Sequence, residues 1–463
     1  MKPFKILSPC GMLGYGFPEE SFRRGMAMRP DAIVVDAGST DAGPHKLGLG
    51  TAIVSPQACK KDLELMIIAG SEAHIPVIIG SAGGSGARKH VLWTRRIIDE
   101  ILEEQGLKDL KIATIWADIP NDAILQAMEA GKVQPLGLAV KELTADRLQR
   151  TTGVVAQMGH EPFVEALQNG ADIIIGGRAY DPSPFAAPAI LHGCDPAYAY
   201  HLGKVLECAA LCATPGTTKD CMLGTIDKDG FIVTPLSPER VCTPLSVAAH
   251  TFYEKDHPYI LHGPGITMDL SGCSFTDIGG GSVRVTGSRL SWDKEYRIKL
   301  EGALQVAYRT FVLAGIRDEI LLCRLREVED LVVHQVQHYY MEIDPAEYTI
   351  HFMNYGMDAV LGETEPEPVP GHEVGVMFEV LAPTQEMANM ICATTRSTFL
   401  HYGYEGRKST AGNLAFPFAP SDIPFGPVFE FSVYHLMQIP DGKCMFPIEY
   451  DMSGGEKQHG EAV

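Results

Sequence analysis

The chain has 463 residues, 45% of them hydrophobic and 21% charged, the proportions of a folded globular protein rather than of a disordered chain or a fibrous repeat. Acidic side chains outnumber basic ones by 58 to 38, a formal charge of -20, which repels nucleic-acid phosphates and anionic membrane surfaces. One ordinary core does not hold a chain of this length, so roughly two to four structural units are expected.

The N-terminal "MKPFKILSPCGMLGYGF" has too short an apolar stretch for a signal peptide, and no window approaches a membrane span. The expectation is a soluble, cytoplasmic protein. Short β-branched runs then alternate with longer amphipathic segments. The expected strands are 4–9, 32–37, 76–81, 111–118, 153–158 and 171–177. Residues 55–74 open with Ser-Pro, an N-cap and first-turn pairing, and read as a helix. The basic cluster at 88–96 reads as a solvated helix face rather than a nucleic-acid patch. Several strands are apolar throughout, as when helices cover both faces of a sheet. Residues 1–218 are therefore expected to form an α/β domain, a mostly parallel sheet flanked by helices.

Past residues 212–224 the texture turns to Gly, Asp, Thr and Pro between short strand-like pieces. This predicts a β-rich insert or connector over 219–292. Residues 293–450 read as a smaller α+β domain, with a strand at 296–302, a long helix through 303–323, two strands and a last helix. A ferredoxin-like order fits that succession. Residues 361–373 form a Pro/Glu loop, and 451–463 a loose tail. The 11 cysteines are scattered and contain no C-x-x-C pair, so neither a disulfide framework nor a zinc ribbon is expected. Cys208 and Cys212, one helical turn apart, read as core thiols.

In an open parallel sheet, ligands bind beyond the carboxyl ends of the strands, where helix N-termini also point. Four strand ends here carry polar chemistry. The second leads into "VDAGSTDAGPHKLGLG", a glycine-studded loop with Asp36, Asp41, His45 and Lys46. The third leads into "GSAGGSGARKH", with Ser81, Gly83, Gly84 and Gly86. The fourth ends at Asp118, and the last at "GGRAYDPSPF", with Arg178 and Asp181.

Arg178 can clamp a carboxylate bidentately, and the glycine turn can offer backbone N–H groups to a second anion. Asp36, Asp41, Asp118 and Asp181 could then divide acid and base roles. Alternatively, Asp36, Asp41 and Asp118 could hold a divalent ion, with Mg²⁺ favoured because no cysteine or paired-histidine spacing suggests zinc. Each residue also has a plain structural reading: Asp118 and Asp181 stand where helix caps belong, His160 where a packed histidine would, and the glycines where the chain need only turn tightly. "GGSG" lacks both the dinucleotide fingerprint and the P-loop lysine, and no organic cofactor is indicated.

"NGADIIIGGRAYDPSPFAAPAILHG", followed by "AYAYHLGKVLECAAL", resembles the acyclic terpene utilisation (AtuA-like) family, in a segment reading G-A-D-[IV]-[IV]-[IV]-x-G-R-x-x-D and then H-L-x-E-C-[GA]. "IPVIIGSAGGSG" is similar to the family's NAGG strand and loop, with Ser81 in place of the asparagine, and "ITMDLSGCSFTDIGGGSVRVTGSR" to its aspartate-containing β segment. Arg178, Asp181, Gly83, Gly84, Glu207 and Cys208 match these motifs directly, whereas Asp36 and Asp41 rest on their position alone. The resemblance implies a role in breakdown of branched acyclic terpenoid acids or other small acids, often beside a small companion protein.

The resulting expectation is a cytoplasmic catabolic enzyme acting on a small carboxylate or acyl-CoA, as a lyase or hydratase adding or removing water or ammonia. The alternatives are a metal-assisted hydrolase or isomerase, and a non-catalytic acyl-CoA- or metabolite-binding subunit. The apolar, aromatic stretch 428–437 suggests a homo-oligomer.

Overall fold

A computed structural model describes residues 2–38, 43–253, 257–408 and 412–454. They divide into two compact units, one drawn from Met1–Leu304 with Phe431–Val463 and the other from Gln305–Glu430.

The first unit is built on a ten-stranded sheet. Its centre is parallel: Phe4–Ser8, Ala32–Asp36, Val77–Gly80, Ile173–Gly176 and Lys111–Ile115 lie side by side in that order. The centres of these strands are apolar because both of their faces are covered. Ala32, Val34, Ile78 and Ile174 enter one hydrophobic core, while Ile33, Val35, Ile79 and Ile175 enter another on the opposite face. The Pro56–Ala73 helix starts as its sequence predicts, the Ser55 hydroxyl accepting from the Ala58 N–H.

The sheet is mixed rather than mostly parallel. Met222–Asp227 runs antiparallel to Phe4–Ser8 and continues through a two-residue turn into Gly230–Pro235, a connection that only antiparallel strands can make. Ile448–Met452 closes the other edge, antiparallel to Lys111–Ile115. Four strands from the expected insert (Met222–Asp227, Gly230–Pro235, Ser274–Asp277 and Val283–Thr286) belong to this same sheet. Val154–Ala156, expected beside the parallel strands, instead pairs with Leu300–Gly302.

In the second unit, Tyr308–Ile316, Val374–Ala382 and Thr349–Tyr355 form antiparallel pairs in that order. Helices Leu325–Tyr339 and Gln385–His401 supply the rest of its core. The long helix expected over 303–323 is not there: one strand runs unbroken from Tyr296 to Ile316. Thr310, Val312, Ala314 and Ile316 are buried in alternation, and that period of two wins over the helix-forming Ala and Leu residues between them. The aromatic stretch 428–437 lies within the strand Asp422–Ile439.

Among the described residues no helix is long and apolar enough to cross a membrane. All 11 cysteines are free thiols.

Phe378 is fully buried, with its ring centroid 5.3 Å from Phe352 and 6.4 Å from Phe399. Phe378→Ala should cost about 3–5 kcal/mol, read as a lower urea midpoint for the transition that reports the second unit.

Candidate functional site

Three strand ends of the first unit converge on one arginine. Arg178 follows the strand Ile173–Gly176 and is almost fully buried. Its Nε donates to Glu301 Oε2 at 2.9 Å and its Nη2 to Glu301 Oε1 at 3.4 Å, while Nη1 donates to Ser81 Oγ at 3.1 Å and to Asp181 Oδ1 at 3.2 Å. Four of the five N–H donors of a guanidinium are thereby engaged. A ligand carboxylate would find one left, which is too few for the expected bidentate clamp. Arg178 organises this region; it does not stand open to an anion.

The approach of the strand ends explains the glycines. A Cβ on Gly86 would lie 2.1 Å from the Arg178 backbone nitrogen, and one on Gly177 would lie 2.7 Å from the Ala117 side chain. The Gly84 and Gly86 N–H groups close turns onto Ser81 and Ala82 carbonyls at 3.0 and 3.2 Å. Gly83 packs on His90 and Gly84 on Ile53. The "GGSG" turn is therefore packed inward, and the anion cradle expected of it gives way to the plain reading. Ser81 itself is held at a positive φ of 47°, and its Oγ also accepts from the Ala179 N–H at 3.2 Å.

Asp36, the last residue of its strand, is buried, and its Oδ1 has no hydrogen-bond partner. Burial above all, and then Asp181, pushes its carboxyl well above the usual carboxylate range; Arg178 opposes this, Glu207 adds to it, and the Gly38 N–H opposes it. Its surroundings thus favour the protonated form more than water does. Asp181 is half-buried and paired with Arg178.

Glu301 behaves in the opposite way. Burial alone would raise its carboxyl, but Arg178 and Lys299 outweigh that and hold it at about 2. Lys299 Nζ lies 3.0 Å from Glu301 Oε1 and donates to the Tyr434 hydroxyl at 2.8 Å.

A second ionic group adjoins through the Asp36–Glu207 and Asp181–Lys204 interactions. Lys204 pairs with Glu207 one helical turn on, and its ammonium lies 5.1 Å from the centre of the Tyr253 ring. Cys208 Sγ is 3.1 Å from the Tyr253 hydroxyl. Burial and then Glu207 push the Cys208 thiol up to about 12, so it is no thiolate nucleophile near neutral pH.

Other expected residues stand apart. Asp118 is exposed, and its Oδ1 accepts from the Arg88 N–H at 3.1 Å, satisfying the first turn of the helix Arg88–Glu104. Capping is its observed use, and it does not join Asp36 as an acid, a base or a metal ligand. His45 and Lys46 lie half-buried on a helix, Gly43–Leu49, rather than on an open loop. Lys46 acts on His90, whose ring bridges Ser85 Oγ at 2.8 Å and the Thr51 carbonyl at 3.0 Å. Asp41 lies outside the described residues, among which no three His, Cys, Asp or Glu side chains are grouped to hold a metal ion. His160 is packed, its Nδ1 3.0 Å from the Tyr200 hydroxyl. Cavities of about 660 Å³, beside Glu161, Tyr296 and Asp441, and about 300 Å³, beside His74, Lys108 and Asp172, are lined by other residues than this cluster.

Sequence reasoning misses Glu301, Lys299 and Lys204, although each leaves a signal. Lys299 and Glu301 are opposite charges two apart, on one face of the strand Tyr296–Ile316, and Lys204 interrupts the largely apolar helix "AYHLGKVL". Buried charges of this kind require partners.

The family model of the acyclic terpene utilisation protein AtuA matches residues 57–417, more than half of the chain. The chain belongs to this family. The matched span includes Ser81, Arg178, Asp181, Lys204, Glu207 and Glu301, and Asp36 precedes it. No curated protein matches the chain, nor does any solved structure.

Glu301→Ala would strand Arg178 as a buried, poorly compensated charge and should cost about 3–5 kcal/mol, measurable by urea unfolding. A second prediction concerns pH. Folded Asp36 keeps its proton above the ordinary value of 3.8, where the unfolded chain releases it, so wild-type stability falls as pH rises from about 4 towards the folded value. Asp36→Asn removes that loss. The melting temperature of the variant should therefore gain on that of the wild type as pH is raised above the ordinary value of 3.8.

Proposed function

We propose that the chain is a lyase or hydratase whose acid is Asp36 and whose base is Asp181, acting on a carbonyl compound such as an acyl thioester rather than on a free carboxylate. One observation carries this reading: a buried carboxyl with an unpartnered oxygen, whose surroundings favour its protonated form, beside a second carboxyl paired to Arg178. Two carboxyls in unlike surroundings, one desolvated and one ion-paired, are what acid–base chemistry requires. Charge supports the choice of substrate. Arg178, Lys204 and Lys299 contribute three positive charges against Asp181, Glu207 and Glu301, leaving no excess to attract an anion while Asp36 is neutral.

In the hydration direction, Asp181 takes a proton from water as its oxygen bonds the β carbon of an enoyl thioester. The C=C electron pair shifts towards the carbonyl, and Asp36 delivers its proton to the α carbon. Exchange with solvent then restores both carboxyls, and the net change is addition of one water. Ammonia can replace water in the same scheme.

The test is a panel of short, branched enoyl thioesters and the matching free acids, monitored by loss of the conjugated double bond. The expected result is turnover of a thioester by the wild type and a fall in kcat of about 10²–10⁴-fold in Asp36→Asn, with an unchanged circular dichroism spectrum. Wild-type turnover retained in that variant would sink the assignment. Binding of thioesters with no turnover by the wild type would replace it with a metabolite-binding role.

A further inference from the structure

The second unit contains a buried acid that this chemistry does not use. Glu329, on the helix Leu325–Tyr339, is buried, as is Asn354 near the end of the strand Thr349–Tyr355. Asn354 Nδ2 donates to Glu329 Oε2 at 3.2 Å. The remaining oxygen of each group, Glu329 Oε1 and Asn354 Oδ1, is buried without a hydrogen-bond partner. An ionised carboxylate only accepts hydrogen bonds, so no rearrangement of two acceptor oxygens can satisfy both. Two buried acceptors left unmade on neighbouring side chains are costly.

One proton removes the conflict. A carboxylic acid and a carboxamide are complementary, the amide N–H giving to one carboxyl oxygen and the acid O–H giving back to the amide oxygen. We propose that Glu329 is held as the neutral acid, closing such a two-bond ring with Asn354, and that loss of this proton loosens the contact between the helix Leu325–Tyr339 and the strand Thr349–Tyr355.

The surrounding charges agree. Burial pushes the Glu329 carboxyl up to about 8; the Asn354 bond opposes this, Asp358 and Asp330 add to it, and Arg326 opposes it. Arg326 is the one cation among these groups, and it pairs with Asp358 and is half exposed. An ionised Glu329 would thus meet two other carboxylates and a cation already engaged. The folded unit keeps a proton that the unfolded chain, with its ordinary value of 4.5, releases. Stability from this pair is complete below about pH 4.5 and is lost as pH rises towards and through about 8. A carboxylate that had to stay ionised would give the reverse trend.

Hydrogen exchange of the full chain, read by mass spectrometry on peptides covering 325–358 and corrected for the intrinsic effect of pH, tests this. Protection in that segment should fall about tenfold or more between about pH 6.5 and about pH 9. Glu329→Gln carries a permanent N–H donor towards Asn354 and should hold its protection within about twofold over that range. A wild-type segment indifferent to pH overturns the proposal, and so does a glutamine variant that loses protection as the wild type does. If the glutamine variant fails to fold at about pH 6.5, that too counts against it, because a neutral acid and a neutral amide should be interchangeable there. An infrared titration gives a second readout: a protonated-carboxyl band present and titrating near pH 8 in the wild type but absent from Glu329→Gln supports the ring. A wild type with no band titrating there overturns it.

Discussion

The first unit depends on one buried ion pair. Taking the Arg178 guanidinium and the Glu301 carboxylate out of water costs several kcal/mol for each ion, and the pair persists only because its geometry is nearly complete. Glu301 accepts from two nitrogens of Arg178 and is also met by Lys299; Arg178 gives its other bonds to Ser81 and Asp181. The pair draws the turn after Ile173–Gly176 towards the turn after Val77–Gly80, and ties both to the strand that begins at Tyr296. A serine held in the left-handed region, ordinarily unfavourable by about 1–2 kcal/mol, is the local consequence of completing this set.

Charge balance then determines what the neighbouring carboxyls can do. Glu301 sits between two cations and is a strong acid held ionised. Asp36 has the same chemistry but a different setting: it is buried, has Asp181 beside it, and shares in an arginine already committed elsewhere. Two residues of near-identical side chain are therefore pushed in opposite directions, Glu301 towards the ionised form and Asp36 towards the protonated one. That contrast is what the proposed acid–base chemistry would draw on.

Much of the architecture is legible in the chain because the parallel strands announce themselves as short apolar runs covered on both faces, and the Ser55-Pro56 helix start lies where its capping residue indicates. The convergence of Asp36, Ser81, Arg178 and Asp181 is legible for a topological reason: parallel strands deliver the turns at their carboxyl ends to the same edge of the sheet. Partner choice is not legible. Arg178 looks available to a ligand because its true partner, Glu301, lies 123 positions away. Asp118 and Arg88 are likewise distant in sequence, so the cap cannot be told from a catalytic carboxylate. The 303–316 segment misleads for a different reason, since Ala, Leu and Gln favour helix locally while the buried alternation from Thr310 to Ile316 is expressed only once a neighbouring strand is present.

The close approach of Gly86 to the Arg178 backbone constrains how relatives of this chain can diverge. With 2.1 Å between that nitrogen and any added methyl position, the two turns cannot drift independently. A lineage that acquires a side chain at position 86 has to re-route the 177–178 peptide as well, and with it the arginine that joins three strand ends. Paired change at these sites, or joint invariance, is the historical trace such an interlocked backbone leaves behind.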